Sequence, residues 1–541
     1  MQTGSPTTKK EQPARHRLDP LLRPRSVALV GASARPESSG LALVQMSRVD
    51  GYKGRVLPVN PRYREIEGLT CCPSLEQLPA PTEHVVLSLG ADQIETGLAQ
   101  SIRHGAKAVT IFNSCQLEGD SEPRLQDRLR SMAKEAGVVI CGPNTMGFYN
   151  RSIGLRVAGF PSPSGLRAGG IVFIAQSGSA FASLAHNDRR LGFSLVVSSG
   201  MEITSTAADY VEWAIGRPET RVIGLFLEQV REPEKFVRVL AEAGRRGLPV
   251  VALKVGRTTR SAAMALSHTG ALAGSDTGFA AMCRRYDVIL VDDLDELSTM
   301  LLCLDQRHAF GPGALASIHD SGGEREMVVD MAERLGVEFA EISEATKAKI
   351  AAELDPGLEA ENPLDAWGTA RYFVDRYTRA FGALLADPAV STGVFFSDVR
   401  EDYWYSAGVA EATRRVAARA AKPVCIATNY SKTFNHTLAA SLAAEGIPVL
   451  EGTRESLLAI KRAFAWRDGR KKRKEEIAPA PAGTIERWRK RIASGEDISE
   501  RDGLNMLGDF GLQVPKMMEA RSLEEALAAA AVIGYPIVLK T

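Results

Sequence analysis

The sequence contains no long hydrophobic run, because no apolar stretch reaches the ~18 residues that a transmembrane helix needs. Its first 20 residues are polar and lack the apolar core of a secretory signal, so residues 1–20 are predicted to form a disordered tail. An excess of one charge is missing too, since 66 Lys and Arg stand against 65 Asp and Glu. Neither a membrane nor a nucleic acid is therefore predicted as a partner, and a cytoplasmic protein is expected.

Cysteine is sparse and shows no metal-binding pattern. The seven cysteines have neither CxxC spacing nor a nearby pair of histidines, so no zinc or other metal site is predicted. Several lie in apolar runs, which is typical of core thiols in a reducing compartment. The length of 541 residues, 45% of them hydrophobic, predicts three or four domains with substantial cores.

Residues 21–150 are predicted to form the first domain. The apolar run Ser26–Val30 predicts a buried strand, and the small-residue loop 31–40 leads from it into a helix. A strand, a tight loop and a helix start together suit an anion, because the first N–H groups of a helix point towards it. Further predicted strands lie at 55–59, 84–89, 108–112 and 138–140. Their alternation with helices predicts an α/β fold with a doubly wound parallel sheet.

The loop does not carry the signature of a nicotinamide dinucleotide site. It lacks the GxGxxG pattern, and the second strand ends in Asn60-Pro61 instead of an acidic residue for a ribose hydroxyl. An NAD-dependent reductase remains an alternative function for the chain. The domain resembles the CoA-binding domain of the succinyl-CoA synthetase superfamily. The matching segments are Gly31-Ala32-Ser33 with Gly40, Pro58-Val59-Asn60-Pro61, and Gly142-Pro143-Asn144-Thr145-Met146-Gly147. The CoA-binding residues that this resemblance implies are Gly31, Ser33, Ser38, Ser39, Gly40, Pro61, Arg62, Asn113 and Asn144. Simple turn chemistry is the alternative for the glycines and prolines.

Residues 151–311 are predicted to form a second α/β domain. A strand at 170–175 runs through a short turn into a helix, which again suits a phosphate group. The alternative is the GxSxG nucleophile elbow of a hydrolase. Ala175 and Ser179 stand where that motif needs glycines, and no triad partner is evident.

One histidine, His268, lies among small residues and glycines at 266–274. A neutral imidazole is a good nucleophile near neutral pH, so His268 is a candidate covalent carrier. A surface-loop histidine without a role is the alternative. A predicted strand at 222–227 ends at Glu228, where α/β folds collect functional residues. A carboxylate there can hold one ring N–H and leave the other nitrogen free to attack.

Gln176-Ser177-Gly178, Glu228 and the His268 loop resemble the NDP-forming acyl-CoA synthetases in order and approximate spacing. The resemblance implies that His268 is phosphorylated and carries phosphate between two distant sites, and that Glu228 stabilises and orients it. The helix start implied to hold the phosphoryl group comprises Ser177, Gly178 and Ser179. One departure concerns the acyl pocket: the chain has Gly200-Met201 where the family often has Gly-Asn.

Residues 312–466 are predicted to form a third domain. Both this domain and residues 151–311 are predicted to be flavodoxin-like. The resemblance implies a second helix start that faces the same phosphate, comprising Ser321, Gly322 and Gly323. Two positive helix ends would both stabilise one phosphoryl group. The neighbouring Glu324 and Arg325 have no assignment from the sequence. The segment 362–365 also matches a family segment near this site, with a capped turn as the alternative. The histidines His319 and His436 have no partner pattern and are predicted to be structural.

Residues 467–496 are predicted to form a linker, because a basic run is followed by a Pro- and Ala-rich segment. A nucleic-acid patch is the alternative, but no aromatic or groove-reading element accompanies the run. Residues 497–541 resemble the opening of an ATP-grasp domain, which implies that Lys540 contacts nucleotide phosphates. Because the sequence ends at Thr541, we expect it to be cut within that domain.

The resemblance implies the overall reaction of an acyl-CoA synthetase, in which a small carboxylic acid, CoA and ATP give acyl-CoA, ADP and phosphate. Mg²⁺ would act with a complete ATP-grasp domain, and a homodimer is expected from the family. The alternative function is a CoA- or acyl-CoA-binding regulatory module without turnover. The identity of the acid does not follow from the sequence, although Phe148, Met201 and Trp367 are candidate pocket residues.

Overall fold

The computed structural model describes residues 15–261, 264, 276–369, 371–432, 435–471 and 480–540. The chain falls into two compact units, residues 1–472 and residues 473–541. No helix in the described ranges is long and apolar enough to cross a membrane.

The first sheet of the larger unit lies near the N-terminus. Its region contains strands β1 (Ser26–Val30), β2 (Arg55–Val59), β3 (Glu65–Ile66), β4 (Leu69–Thr70), β5 (His84–Leu87), β6 (Ala108–Ile111) and β7 (Val139–Cys141). The helices are α1 (Asp19–Leu22), α2 (Ser39–Met46), α3 (Ala91–Arg103) and α4 (Leu125–Ala136), with a 3₁₀ turn at Leu75–Gln77. Five strands form a parallel sheet in the order β2-β1-β5-β6-β7, and β3 and β4 form a separate hairpin.

The second sheet has seven strands. They are β8 (Gly147–Asn150), β9 (Leu155–Val157), β10 (Ala168–Ala175), β11 (Phe193–Ser198), β12 (Val222–Leu227), β13 (Val250–Lys254) and β14 (Ile289–Val291). The helices are α5 (Gly178–Asn187), α6 (Ala207–Ile215), α7 (Pro233–Arg246), α8 (Asp276–Arg285) and α9 (Leu294–Leu304). The order is β14-β13-β12-β10-β11-β8-β9, in which β10 to β14 are parallel and β8 and β9 form an antiparallel edge.

The third sheet is again parallel and has five strands. They are β15 (Ala314–His319), β16 (Leu364–Asp365), β17 (Val390–Phe396), β18 (Val424–Ala427) and β19 (Val449–Leu450), in the order β16-β15-β17-β18-β19. The helices are α10 (Gly322–Leu335), α11 (Glu344–Ala351), α12 (Phe373–Ala386), α13 (Trp404–Ala417), α14 (His436–Ala444) and α15 (Thr453–Gly469).

One topology recurs in all three sheets. The first parallel strand lies between the second and the third, and the fourth and fifth follow the third. In such a sheet, ligands bind in the crevice at the carboxyl ends of the first and third strands. The predicted α/β fold is confirmed, and the crevices lie after β1 and β5, after β10 and β12, and after β15 and β17.

The last residues of the predicted first domain belong to the second sheet. The sequence places residues 147–150 in the first domain, but β8 pairs antiparallel with β11 of the second sheet. Gly147 permits this crossing, because its φ of +92° suits glycine and a Cβ atom there would lie 1.8 Å from the Val157 carbonyl oxygen. Phe148 is consequently fully buried in the core instead of lining a pocket, so that part of the prediction is wrong.

A buried ion pair joins the segment after α2 to strand β9. The fully buried guanidinium of Arg156 donates to both carboxylate oxygens of Asp50, at 2.5 and 2.8 Å, and Arg151 also pairs with this carboxylate. Burial alone would raise the pKa of Asp50, but the hydrogen bonds from Arg156 and Arg151 outweigh it and lower the pKa. The charged form of Asp50 therefore stabilises the folded chain.

We expect Asp50→Ala to lower the free energy of unfolding by about 3–5 kcal/mol, because it leaves the buried Arg156 charge uncompensated. Asp50 contributes fully to the free energy of unfolding above its unfolded pKa near 4. This contribution disappears as pH falls through the lower pKa of the folded chain. Urea denaturation at pH 7 measures the change. Glu242→Ala, which removes two ion pairs on the solvent-facing side of α7, is the control and should cost about 1 kcal/mol or less. Equal effects of the two substitutions would contradict the expectation.

The smaller unit is helical where the structure describes it. Its helices are α16 (Thr484–Ala493), α17 (Glu500–Asp509) and α18 (Leu523–Ile533). The predicted linker therefore contains a helix, which Trp488 anchors by donating its indole N–H to Asp509 at 2.8 Å. The sequence predicts strands near 511–515 and 534–540, but within 480–540 no strand forms, and Val538 and Leu539 are exposed. A strand needs a hydrogen-bonded neighbour, and this range supplies none.

Candidate functional site

The loop after β1 packs directly against the end of β5. Gly31 has φ +86°, and a Cβ atom there would lie 2.2 Å from the Ser88 carbonyl oxygen. A Cβ atom at Gly40 would lie 2.4 Å from the Gly31 carbonyl oxygen. Ser38 caps helix α2 by accepting from the Leu41 N–H, at 3.2 Å. Two glycines thus bring the start of α2, which has no acidic residue in its first turn, to the first crevice.

The segment after β2 is tied to the same loop. Asn60 donates its side-chain N–H to the Ala32 carbonyl oxygen at 2.7 Å and accepts from the Arg62 backbone N–H at 2.9 Å. Ser33 faces the Tyr63 hydroxyl, at 3.4 Å between oxygens. Pro61 is exposed beside them. The structure therefore brings the predicted residues of both segments together and adds Tyr63, which sequence reasoning missed.

A cavity of about 450 Å³ opens at this edge of the first sheet. It is lined by Ser39, Ser88, Leu89, Phe112, Asn113, Thr145, Met146, Gly159 and Phe160. Of the predicted CoA residues, Ser39 and Asn113 line it directly. Asn144 lies at its margin and donates its backbone N–H to the Asn113 carbonyl oxygen, at 2.9 Å. The hydrophobic walls come from distant segments, so the sequence offers no local signal for them.

One wall of the cavity contacts the start of α5. A Cβ atom at Gly178 would lie 2.7 Å from Cγ of Met146, a lining residue of the cavity. Ser177 caps α5 by accepting from the Ala180 N–H at 3.3 Å, and the first turn has no acidic residue. The predicted phosphate-binding helix start therefore adjoins the cavity on the first sheet.

Glu228 is held next to this helix start by Gln176. The Gln176 side-chain oxygen accepts from the backbone N–H groups of Glu228 and Gln229, at 2.6 and 3.0 Å, and its N–H donates to the Gln229 carbonyl oxygen at 2.9 Å. This clamp joins the ends of β10 and β12 across the second crevice. The half-buried Glu228 thus lies where the sequence predicts it. His268 lies outside the described residues, so its pairing with Glu228 stays a prediction.

The helix at the third crevice has an acidic residue in its first turn, whereas the helix at the second crevice has none. Ser321 caps α10 by accepting from the Glu324 N–H, at 3.4 Å, but carboxyl groups surround this helix start. A Cβ atom at Gly322 would lie 3.0 Å from a carboxylate oxygen of Asp365. Burial raises the pKa of both Asp320 and Glu324, and their mutual repulsion raises that of Glu324 further. The arrangement does not favour an added anion, so binding of a phosphate by Ser321, Gly322 and Gly323 stays a prediction.

The structure accounts for the two residues that the sequence left unassigned. Glu324 accepts from the Asn429 side-chain N–H at 2.9 Å, and Arg325 pairs with Glu361 at 2.6 Å. Both therefore have partners within the third domain.

Sequence comparisons agree with this geometry. The family model described as "CoA binding domain" matches residues 25–151, and "Succinyl-CoA ligase like flavodoxin domain" matches residues 168–304. An ADP-forming acetate–CoA ligase I of Archaeoglobus fulgidus is 29% identical over 97% of this chain and 75% of that protein. A trans-feruloyl-CoA synthase from an unknown prokaryotic organism is 29% identical over 97% of this chain and 74% of that protein.

The chain is thus similar to ADP-forming acyl-CoA ligases over almost its whole length.

A structural comparison supports the fold. The dinucleotide-forming acetyl-coenzyme A synthetase 1 of Ca. Korarchaeum cryptofilum, in complex with phosphate and ADP, superposes with a TM-score of 0.75. It is 23% identical, and the match covers 84% of this chain and 97% of that protein.

The structure also describes other residues that the sequence singles out. His319 is buried, shares a hydrogen bond of 2.8 Å with the Ser317 hydroxyl and stacks on Phe396. Burial lowers the pKa of His319 to about 3. It is neutral at physiological pH, in agreement with a structural role. Neither Met201 nor Trp367 lines the cavity. In the smaller unit Lys540 pairs with Glu500, at 2.5 Å, and its contact with a nucleotide stays a prediction.

Proposed function

We propose that this chain catalyses acyl-CoA formation in the ADP-forming manner, from a small carboxylic acid, CoA and ATP. The observation that carries the proposal is the contact of Met146 with Gly178. This contact joins the cavity at the first crevice, where the resemblance places CoA, to a helix start whose first turn contains no acidic residue. A thiol bound in the cavity can thus reach an acyl phosphate held at α5.

The described residues fit CoA at the first crevice. The start of α2 supplies backbone N–H donors, Gly31 and Gly40 allow a ligand to approach the backbone, and the cavity has apolar walls for the pantetheine arm. Among the described residues, no group of three His, Cys, Asp or Glu side chains could hold a metal ion. Mg²⁺ is therefore proposed only together with the nucleotide.

The proposed reaction has three steps. The γ-phosphoryl group of ATP moves to a ring nitrogen of His268 and ADP leaves. A carboxylate oxygen of the acid then attacks this phosphorus, which gives an acyl phosphate and frees the imidazole. Finally the CoA thiolate attacks the acyl carbon, the C–O bond to phosphate breaks, and phosphate and acyl-CoA leave. The N–H groups of α5 stabilise the phosphoryl charge, and Glu228 orients the ring.

The second half of this reaction can be tested without a nucleotide. We expect the chain, incubated with acetyl-CoA or another acyl-CoA and labelled phosphate, to acquire an acid-labile, base-stable label. No label on a folded chain that binds CoA, across a series of acyl groups, would favour the regulatory module instead. The acid remains to be determined, because the relatives named above differ in it.

We also propose a cytoplasmic homodimer. All seven cysteines are unpaired and six are buried, which supports a reducing compartment. The dimer rests on the family alone, and sedimentation would test it.

A further inference from the structure

Three strand ends meet at the carboxyl edge of the second sheet. Gln176 follows β10, the segment 199–202 follows β11, and Glu228 follows β12. The Ser199 backbone N–H donates to the Ala175 carbonyl oxygen at 2.8 Å, so the end of β11 is fixed to the end of β10. The Gln176 side chain in turn clamps the residues after β12. Glu202 lies beneath this junction.

Glu202 has two features that cost folding free energy. Its φ of +55° is rare for a residue with a side chain. Its carboxyl group is also buried, since only 4% of the residue is exposed. One oxygen accepts from the Ser199 hydroxyl at 2.8 Å and from the Ala207 N–H at 3.1 Å. The other oxygen has no hydrogen-bond partner among the described residues. A buried carboxyl with an unsatisfied oxygen in strained backbone is typical of a functional site.

Two side chains next to Glu202 connect it to the predicted phosphate site. The Gln176 amide and the Arg231 guanidinium both favour the charged form of Glu202, although neither donates a hydrogen bond to the unsatisfied oxygen. Gln176 directly precedes Ser177, the cap of α5, and holds Glu228 through the backbone. Through Ser199, a change at Glu202 therefore reaches the end of β10, where Gln176 precedes the helix start and holds Glu228.

We propose that Glu202 is a positioning residue for phosphoryl transfer, whose carboxylate accepts from the Ser199 hydroxyl and attracts the nearby Gln176 amide and Arg231 guanidinium. These interactions fix the start of α5 relative to Glu228. This inference rests on the proposed function. Glu202 does not line the cavity on the first sheet, so CoA binding should not depend on it.

The charge of Glu202 changes near neutral pH. Burial raises its pKa to about 7, and contacts with Gln176, Ser199 and Arg231 limit this rise. The other ionisable groups that face it are Glu232 after β12, Tyr210 on α6 and Cys141 at the end of β7, and Glu228 acts on the same Arg231. Burial raises the pKa of Tyr210 and Cys141, so both stay neutral there. The carboxylate form that the proposal requires thus becomes the major form only above pH 7.

The test compares the wild type with Glu202→Gln and Glu202→Asp. We would measure the initial rate of His268 labelling from acetyl-CoA and labelled phosphate between pH 5.5 and 9. Glu202→Gln should lower the rate above pH 7 by about 10–100-fold, since small errors of position cost this much. It should also flatten the rise through pH 7. Glu202→Asp should retain the rise at a reduced rate. Phosphate itself titrates in the same range, so the informative quantity is the variant-to-wild-type ratio at each pH.

Stability separates a positioning role from a structural one. A raised folded pKa means that the folded chain binds the extra proton, so Glu202 destabilises it increasingly as pH rises from about 4.5 to 7. Glu202→Gln should therefore unfold at the same or a higher temperature than the wild type at pH 8 while it transfers phosphate more slowly. Glu232→Gln, which changes an exposed carboxyl bonded to Thr206, is the matched control and should keep the wild-type pH profile.

The outcomes are distinct. Glu202→Gln with the wild-type rate and profile, or with a lower unfolding temperature that accounts for its loss of activity, overturns the positioning role and leaves the proposed function intact. A wild type that binds CoA but acquires no label overturns both.

Discussion

His268→Ala should abolish labelling from acetyl-CoA and phosphate and should lower acyl-CoA formation by on the order of 10³-fold or more. The reason is chemical, because the phosphoryl group loses the nitrogen that carries it between the nucleotide and the acid. CoA affinity should not change, since the cavity on the first sheet is formed by other segments. Calorimetry for CoA and gel autoradiography after acid and base treatment measure the two properties.

His308→Ala is the matched control for His268→Ala. His308 is an exposed histidine that makes no hydrogen bond or ion pair within the described part of the chain, so its loss should affect neither label nor CoA binding. If His268→Ala still acquires an acid-labile label, another residue carries the phosphate. If both variants lose CoA binding, the effect is structural and does not identify the carrier.

Gly31→Ala should both destabilise the chain and weaken CoA binding at least tenfold. An alanine at φ +86° costs about 1–2 kcal/mol in backbone strain. Its Cβ atom would lie 2.2 Å from the Ser88 carbonyl oxygen, and the resulting overpacking costs about 1–3 kcal/mol more. To relieve the overlap, the loop must move away from β5 and take the start of α2 with it. Urea denaturation and calorimetry with CoA measure the two effects.

Gly51→Ala separates the strain from the overlap. Gly51 has a similar φ of +81°, but a Cβ atom there would meet nothing within 4 Å. This variant should lose about 1–2 kcal/mol of stability from strain alone and should bind CoA normally. If Gly31→Ala bound CoA as well as Gly51→Ala, the close approach of the first loop to β5 would have no part in ligand binding.

The two capped helix starts that the sequence treats as equivalent have different surroundings. The first turn of α5 contains no acidic residue, and Glu228 is the carboxyl group held beside it, whereas α10 begins among the carboxyl groups of Asp320, Glu324 and Asp365. Both starts carry Ser and Gly at the same positions, so the motif alone does not distinguish them. Two of these carboxyl groups, those of Asp320 and Glu324, flank the motif in the sequence, and the third comes from Asp365 in β16, far along the chain. A phosphate at α5 is therefore better supported than one at α10.

The sequence by itself determined the local units of this protein. Buried runs such as Ser26–Val30 predict strands, and Ser38, Ser177 and Ser321 predict helix starts, all of which the structure contains. These features depend on residues three or four apart, so a short segment suffices to specify them. For the same reason the predicted strands near residue 538 fail, since a strand also requires a partner that no local pattern supplies.

Only the tertiary structure decided which of these units work together. The place of β8 in the second sheet, the clamp of Gln176 on Glu228 and the burial of Glu202 all join residues that lie far apart in the chain. Parallel strands bring their carboxyl ends to one edge, and the strand order determines which ends are neighbours. That order is set by the packing of whole sheets and helices, so the charge and the cavity at each crevice become visible only once the chain is folded.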